Sequence, residues 1–494
     1  MEFKSTRSTE QSGVSAAYAI KTGLAADGGL YMPMEIPKLP ADAIATLRKM
    51  SYPERAAYIL SLFLTDYTKE ELYHDACLAY SENKFRGGAA PVHRLQNDIY
   101  VLELWHGPTA AFKDMALQIM PRLLSRALDK TGETRTALIL VATSGDTGKA
   151  ALEGYRDVPK TKIEVFYPVD GVSRVQKLQM MTQEGDNLSV TAIHGNFDDA
   201  QSGVKRIFAD ADAKTELNAR NVFLSSANSI NWGRLVPQIV YYVSAYCDML
   251  ENREIAMGEM IDVCVPTGNF GNIFAAYIAK CMGLPIGTLV CASNQNNVLT
   301  DFLSTGEYDR NRTFHTTISP SMDILISSNL ERLLYLVAGP EKTAGYMKAL
   351  NENGHYKISA EEFSAISESF KGYFTNEEET RETIRSLYQN ENYLIDTHTA
   401  VAYHAATAFK KESGSDRKML LASTASPFKF AADVYGALGT ETPADALDAC
   451  DALSAYTGVP VHYALKDIAS RTIRFTDTVD ASDMKKTVLA FAEQ

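Results

Sequence analysis

Three segments of the chain gather side chains that could act on an anionic ligand. The first runs Leu104-Trp105-His106-Gly107-Pro108-Thr109-Ala110-Ala111-Phe112-Lys113-Asp114. The apolar run Ile99–Leu104 predicts a strand, Gly107-Pro108 predicts a turn, and a helix is expected to open near Thr109. Lys113 then stands in the first helical turn, between Phe112 and Met115. Most lysines are solvated and inert. A helix N-terminus and apolar neighbours instead favour the neutral amine, the form that attacks a carbonyl to make a Schiff base. His106, beside the turn, can either donate to an anionic substrate or simply pack.

The second segment, Ala142-Thr143-Ser144-Gly145-Asp146-Thr147-Gly148-Lys149-Ala150, follows the apolar run Ala137–Ala142 and opens a helix expected at Lys149–Tyr155. It fails as a Walker A loop, because Thr143 stands where the first glycine belongs and Ala150 where Ser or Thr must follow the lysine. The hydroxyls of Thr143, Ser144 and Thr147, with backbone N–H groups, can still grip a carboxylate or phosphate. Helix capping is the competing use of the same residues. The third segment, Thr267-Gly268-Asn269-Phe270-Gly271-Asn272, follows the run Ile261–Val265 and precedes a helix expected at Ile273–Met282. Its two glycines let backbone approach a ligand at a helix start.

The elements that must position these loops are legible as a pattern. Short apolar runs at Ala137–Ala142, Ile163–Tyr167, Leu188–Ile193, Val222–Leu224, Ile261–Val265, Thr288–Ala292 and Met419–Ser423 alternate with helical stretches. That alternation predicts parallel sheets covered by helices, an α/β protein. Helices are also expected from Asp42 to about Tyr80, and residues from about 303 to 395 read as polar and helical. The run Asn376-Glu377-Glu378-Glu379 reads as a solvated helix face, not a metal site, and Tyr241-Tyr242 as core. His398, at an expected helix start, reads as a structural hydrogen-bonding group.

Lys+Arg 48 against Asp+Glu 61 gives a formal charge of −13 over 494 residues. Such a chain repels nucleic acid and anionic lipid, so neither is expected as a partner. The six cysteines form no CxxC pair, and the N-terminus has no apolar leader. A zinc site or redox dithiol is therefore not expected, and a cytoplasmic location is.

In order and detail the three loops resemble the threonine synthase family of pyridoxal-phosphate enzymes, in its longer bacterial and fungal form. The resemblance also rests on Ser5-Thr6-Arg7, Gly23 to Pro33, Asn228 to Trp232, Ser321 to Ile324, Asp396 to Ala400 and Thr424 to Pro427. It implies a two-lobed tryptophan-synthase-β-like fold (fold type II) with parallel-rich sheets and an extra N-terminal domain. The implied divisions are 1–90, a catalytic core at 91–440 with a helical insertion at about 303–395, and a C-terminal extension at 441–494. The implied cofactor is pyridoxal 5'-phosphate and the substrate O-phospho-L-homoserine, converted with water to L-threonine and phosphate. No metal is implied, and the expected state is a monomer or weak homodimer.

The resemblance also implies residue roles. Lys113 anchors the cofactor as a Schiff base and moves the Cα proton. Gly268, Asn269, Phe270, Gly271 and Asn272 hold the cofactor phosphate, and Thr424 meets the pyridine nitrogen. Thr143, Ser144 and Thr147 hold the substrate carboxylate and part of its phosphate. Asn228, Ser229 and Arg234 add phosphate contacts, with His106 as a further donor. Arg234 suits the phosphate because its planar fork matches that geometry. Lys149 and Arg156 are alternative cations, expected on a solvent-facing helix surface. Asp146 stands where most relatives of this fold carry Asn beside the cofactor's phenolic oxygen, although the longer subfamily shares the Asp. A carboxylate and a phenolate repel unless a proton is shared. Competing functions are a dehydratase or β-replacement enzyme on the same fold, a non-catalytic pyridoxal-binding homologue, and a phosphate-loop nucleotide-binding protein.

Overall fold

The computed structural model describes residues 1–143, 145–170 and 172–494. Two sheets organise it. The larger has six strands in the spatial order Phe370–Phe374, Ile286–Ser293, Ile261–Pro266, Met419–Ser423, Ile99–Glu103 and Val92–Arg94. All neighbours pair in parallel except Val92–Arg94, which runs antiparallel at one edge. The smaller has five parallel strands in the order Thr478–Asp480, Leu188–His194, Thr161–Pro168, Thr136–Ala142 and Val222–Ser225. The central strands are apolar along both faces because helices cover both sides. Ile261–Pro266 and Met419–Ser423 are buried at every position.

Every apolar run read as a strand forms one, within a residue or two at each end. Seven strands are additional among the described residues: Phe3–Ser5, Tyr31–Pro33, Val92–Arg94, Glu307–Asp309, His355–Lys357, Phe370–Phe374 and Thr478–Asp480. Phe370–Phe374 lies in the segment expected to be helical and pairs with Ile286–Ser293. Thr478–Asp480 and Val92–Arg94 are three-residue edges. Phe3–Ser5 pairs antiparallel with Tyr31–Pro33, and Glu307–Asp309 with His355–Lys357. Edge strands this short carry too few residues for a period-2 signal. The helical N-terminal stretch divides into Ala43–Leu47, Tyr52–Phe63 and Lys69–Ala79. Capping boxes at Ser51/Glu54 and Thr68/Glu71 start the latter two. Their buried residues, Ile59, Leu60, Phe63 and Leu72, join the same apolar cluster as Trp232 and Val263, so this region packs onto the sheets without a separate core.

Three neighbouring parallel strands of the large sheet, Ile261–Pro266, Met419–Ser423 and Ile99–Glu103, end on the same side. Their carboxyl ends deliver the Gly268 loop, Thr424 and the turn to Lys113. Open α/β sheets bind ligands at such strand ends, where helix N-termini and loops converge. The strand Thr136–Ala142 of the small sheet delivers the Thr143–Gly148 loop to the same place. No helix among the described residues is long and apolar enough to cross a membrane.

Candidate active site

Lys113 is the first residue of a short helix, Lys113–Leu117, not the interior of one opening near Thr109. Residues 107–112 form a bent turn instead, with Ala110 in the left-handed region at φ 59. The buried carboxylate of Asp114 latches this turn by accepting from Thr109 N–H at 2.8 Å and Thr109 Oγ1 at 2.7 Å. Phe112 N–H donates to the Thr424 carbonyl at 2.8 Å, which sets Lys113 beside the end of Met419–Ser423. The Lys113 side chain is only 13% exposed. Burial lowers its pKa; Asp146 opposes that effect, while Lys429 and Arg234 reinforce it. The cause is thus desolvation and neighbouring cations, since a five-residue helix contributes little dipole.

The Gly268–Asn272 loop enters the helix Gly271–Met282 through Phe270, a non-glycine residue at φ 63, with no side chain capping the helix start. Its first N–H groups therefore face the site without intrahelical partners. Ser327 Oγ donates to the Gly268 carbonyl at 2.6 Å, and Asn329 Nδ2 to the Asn269 carbonyl at 2.9 Å. Asn272 Oδ1 accepts from Tyr241 OH at 2.7 Å and also from Tyr242 OH. Its Nδ2 is buried with no partner. A Cβ on Gly268 would lie 2.5 Å from the Ser321 carbonyl oxygen, so only glycine fits there. His398 holds that covering turn: its Nε2 accepts from Ser321 N–H at 3.1 Å while Nδ1 donates to Asp396. His398 is the structural hydrogen-bonding group expected, and the tyrosine pair is buried as expected yet also orients Asn272, a role the sequence did not signal.

The second loop matches expectation in part. Thr143 is buried and its Oγ1 accepts from Gly145 N–H and Gly148 N–H, both at 3.0 Å. It therefore shapes the loop, and its own O–H remains a donor for a ligand. Ser144 lies outside the described residues. Thr147 is partly exposed in the first turn of Asp146–Tyr155, where a hydroxyl can reach a ligand. Lys149, expected to face solvent, is buried and neutralised by Glu153, with Gln183 as a further partner. Arg156 pairs outside with Glu184 and Asp157. Neither is free to hold a substrate phosphate.

His106 is likewise engaged: Nε2 lies 2.7 Å from Glu103 Oε2 and Nδ1 3.1 Å from the Arg86 carbonyl. Both ring nitrogens thus have partners within the protein, which favours the packing alternative. Asn228 is exposed and Ser229 partly so, in the loop before the helix Trp232–Glu251. Arg234 lies in the first turn of that helix and is 6% exposed. Its Nη1 donates to the Ala227 carbonyl at 2.8 Å, and its Nε is buried without a partner. No carboxylate pairs with it among the described residues. Burial pulls it down to about 10, so it stays cationic at neutral pH.

Two residues escaped the sequence reading. Lys429 carries a side chain with no exposed surface, and its Nζ lies 3.0 Å from Asp146 Oδ1. Gln176 Nε2 donates to the same oxygen at 2.8 Å. Asp146 is buried, which would raise its pKa, but the ammonium groups of Lys429 and Lys113 hold it well below the usual carboxylate range.

A lysine in a largely desolvated pocket, an uncapped helix start with an unpartnered amide, and parallel strand ends on both lobes define a class of enzyme that binds a phosphorylated aldehyde cofactor. A family model described as "Pyridoxal-phosphate dependent enzyme" matches residues 86–424, one described as "Threonine synthase N terminus" matches 2–80, and "Threonine synthase, C-terminal" matches 399–488. Threonine synthase of Pseudomonas aeruginosa is 39% identical over 83% of this chain and 84% of its own. Human threonine synthase-like 1 is 39% identical over 94% of this chain, which spans 64% of that relative's length. The crystal structure of pyridoxal-phosphate-bound threonine synthase from Brucella melitensis superposes with a TM-score of 0.88 at 36% identity, covering 100% of both chains. The yeast threonine synthase structure gives 0.89 at 31% identity, covering 100% of this chain and 98% of that one. The chain belongs to the threonine synthase family of pyridoxal-phosphate-dependent enzymes.

Proposed function

We propose that the protein is a threonine synthase that converts O-phospho-L-homoserine and water to L-threonine and phosphate. The observation that carries this reading is Arg234, a buried guanidinium whose charge acts on Lys113 and which, among the described residues, has an unpartnered Nε and no carboxylate. A buried cation without a counter-ion is costly. A phosphate on the substrate supplies the missing charge through charge-assisted hydrogen bonds.

The residues present fit the cofactor. The Asn272 Nδ2 amide lacks a partner, the Gly268 backbone is as close to its neighbours as a glycine permits, and the helix start is open. Gly268, Asn269, Phe270, Gly271 and Asn272 would hold its phosphate, Thr424 its ring nitrogen, and Lys113 its aldehyde carbon. When bound, pyridoxal phosphate supplies the electron sink that stabilises a carbanion at Cα, a role no side chain can fill. Lys113, its pKa lowered, takes the Cα proton as a neutral amine. Arg234 steadies the γ-phosphate as it leaves Cγ, and Thr147, Asn228 and Ser229 are placed to orient the substrate. Water then adds at Cβ. We place this reaction in the cytoplasm.

The purified protein should be yellow and should release phosphate from O-phospho-L-homoserine with equimolar threonine. Arg234→Ala should weaken that substrate by roughly 10- to 150-fold, from about 1.5–3 kcal/mol per charged contact, and leave phosphate-free analogues almost unaffected. Colour without phosphate release would identify a non-catalytic member of the family. Equal losses for both ligands would make Arg234 structural.

A further inference from the structure

Asp146 is held from two sides. Its Oδ2 lies 3.7 Å from Lys113 Nζ, and its Oδ1 accepts from Lys429 at 3.0 Å. The Lys429 ammonium also donates to the Thr109 carbonyl at 2.7 Å. Thr109 belongs to the turn latched by Asp114, so one ammonium ties the Lys113 turn, the Asp146 loop and the 3-10 helix Pro427–Phe430 together. We infer that Lys429 is a positioning residue: by occupying one oxygen of Asp146, it leaves Lys113 a counter-ion that is already half neutralised and so sets the acidity of the Lys113 amine.

The charge arithmetic favours this arrangement. With Lys429 absent, the whole carboxylate charge would fall to Lys113 and hold it as an ammonium, which can neither attack a carbonyl nor accept a proton. With Lys429 present, the pair is close to neutral and desolvation keeps the amine basic form accessible. The other charged groups facing this cluster are Arg234 from the helix Trp232–Glu251 and Asp114 beside Lys113. Arg234 adds positive potential at Lys113. Asp114 is pushed up to about 6 by burial. His462 also faces Lys429, but burial takes it down to about 3 and leaves it uncharged.

This assignment rests on Lys113 as the cofactor-anchoring lysine. The test uses full-length apoprotein and the rate of pyridoxal phosphate capture as a function of pH, with borohydride reduction and peptide mapping to locate the bond. Only the neutral amine reacts, so the midpoint reports Lys113. Lys429→Met should move the midpoint upward by about one pH unit or more, and Asp146→Asn should move it downward. The double variant should fall between them. A purely structural latch would lower the thermal midpoint without shifts of opposite sign. A Lys429→Met profile that overlays wild type, or moves with Asp146→Asn, overturns the inference. If Lys429→Met does not fold, the double variant, which leaves no buried unpaired charge, must still lie above Asp146→Asn; coincident profiles overturn it equally. Reduction onto a different lysine would instead defeat the assignment of Lys113 itself.

Discussion

The Gly268–Asn272 loop and the Thr143–Gly148 loop sit on the same scaffold: a buried parallel strand, a glycine-containing turn and a helix start. What they present is different. The Gly268 loop offers uncharged donors, namely backbone N–H groups and one amide, whose aim is fixed by Tyr241, Tyr242, Ser327 and Asn329. The Thr143 loop offers an ionised carboxylate, Asp146, balanced between two lysines. Fixed dipoles suit a permanently bound phosphate, because they neither titrate nor compete for protons. An ionised group beside a reactive amine suits proton movement. The scaffold is common to both; the side chains brought in from distant segments decide the use.

The sheets beneath repeat the contrast. In the large sheet, buried Asp262 is satisfied by Thr288 N–H, Ser415 Oγ and Arg417. In the small sheet, Glu164 is 0% exposed, accepts from Thr191 Oγ1 at 2.8 Å, and leaves Oε2 without a partner.

The largest effect should come from removing the group both loops serve. Lys113→Ala should abolish visible cofactor absorbance and turnover while far-ultraviolet circular dichroism stays native; persistent activity would move the chemistry to another lysine.

Next in size is the Glu164 asymmetry. Burial pushes Glu164 up to about 7, against an ordinary 4.5. Between those values the native state keeps a proton that the unfolded chain has lost, so stability falls as pH rises across that window and levels off above it. The loss is on the order of 3 kcal/mol. Glu164→Gln should flatten this part of the pH–stability curve, measured by urea unfolding from pH 4.5 to 8; an unchanged slope would mean the carboxylate finds water.

Gly268→Ala and Thr143→Val separate the loops directly. The first forces Cβ against the Ser321 carbonyl and should cost about 1–3 kcal/mol of cofactor affinity. The second leaves the N–H groups of Gly145 and Gly148 unpaired and should cost about 1–3 kcal/mol. That loss should be read in kcat/KM, with cofactor affinity preserved. Equal effects on both measurements in either variant would dissolve the division of labour.

The smallest effect is Tyr242→Phe, which removes one of two hydroxyls orienting Asn272. Cofactor dissociation should rise about two- to tenfold, from about 0.5–1.5 kcal/mol. The substrate KM should be unchanged, as measured by titration of apoprotein and by steady-state kinetics.

The sequence by itself determined the long buried strands and the three loops, and it singled out Lys113 as a candidate. Continuous apolar runs such as Met419–Ser423 can only be buried on both faces, and Gly-Asn-Phe-Gly-Asn after such a run can only open a helix that leaves backbone donors free. These signals are local and survive without neighbours. Burial and partnership are not local. Lys149 looked solvent-facing until Glu153 and Gln183 closed over it, and His106, open to either use in the sequence, is held by the Glu103 carboxylate and the Arg86 carbonyl. Lys429, more than 280 residues from Asp146 in the chain, was invisible as its partner: its neighbours Phe428 and Phe430 hint at burial, but no local signal names a partner so remote in sequence. Electrostatic control of Lys113 depends on distances of a few ångströms between segments remote in sequence, and these are set by the pairing of Met419–Ser423 with Ile99–Glu103 together with the packing of the small sheet's Thr136–Ala142 end against them.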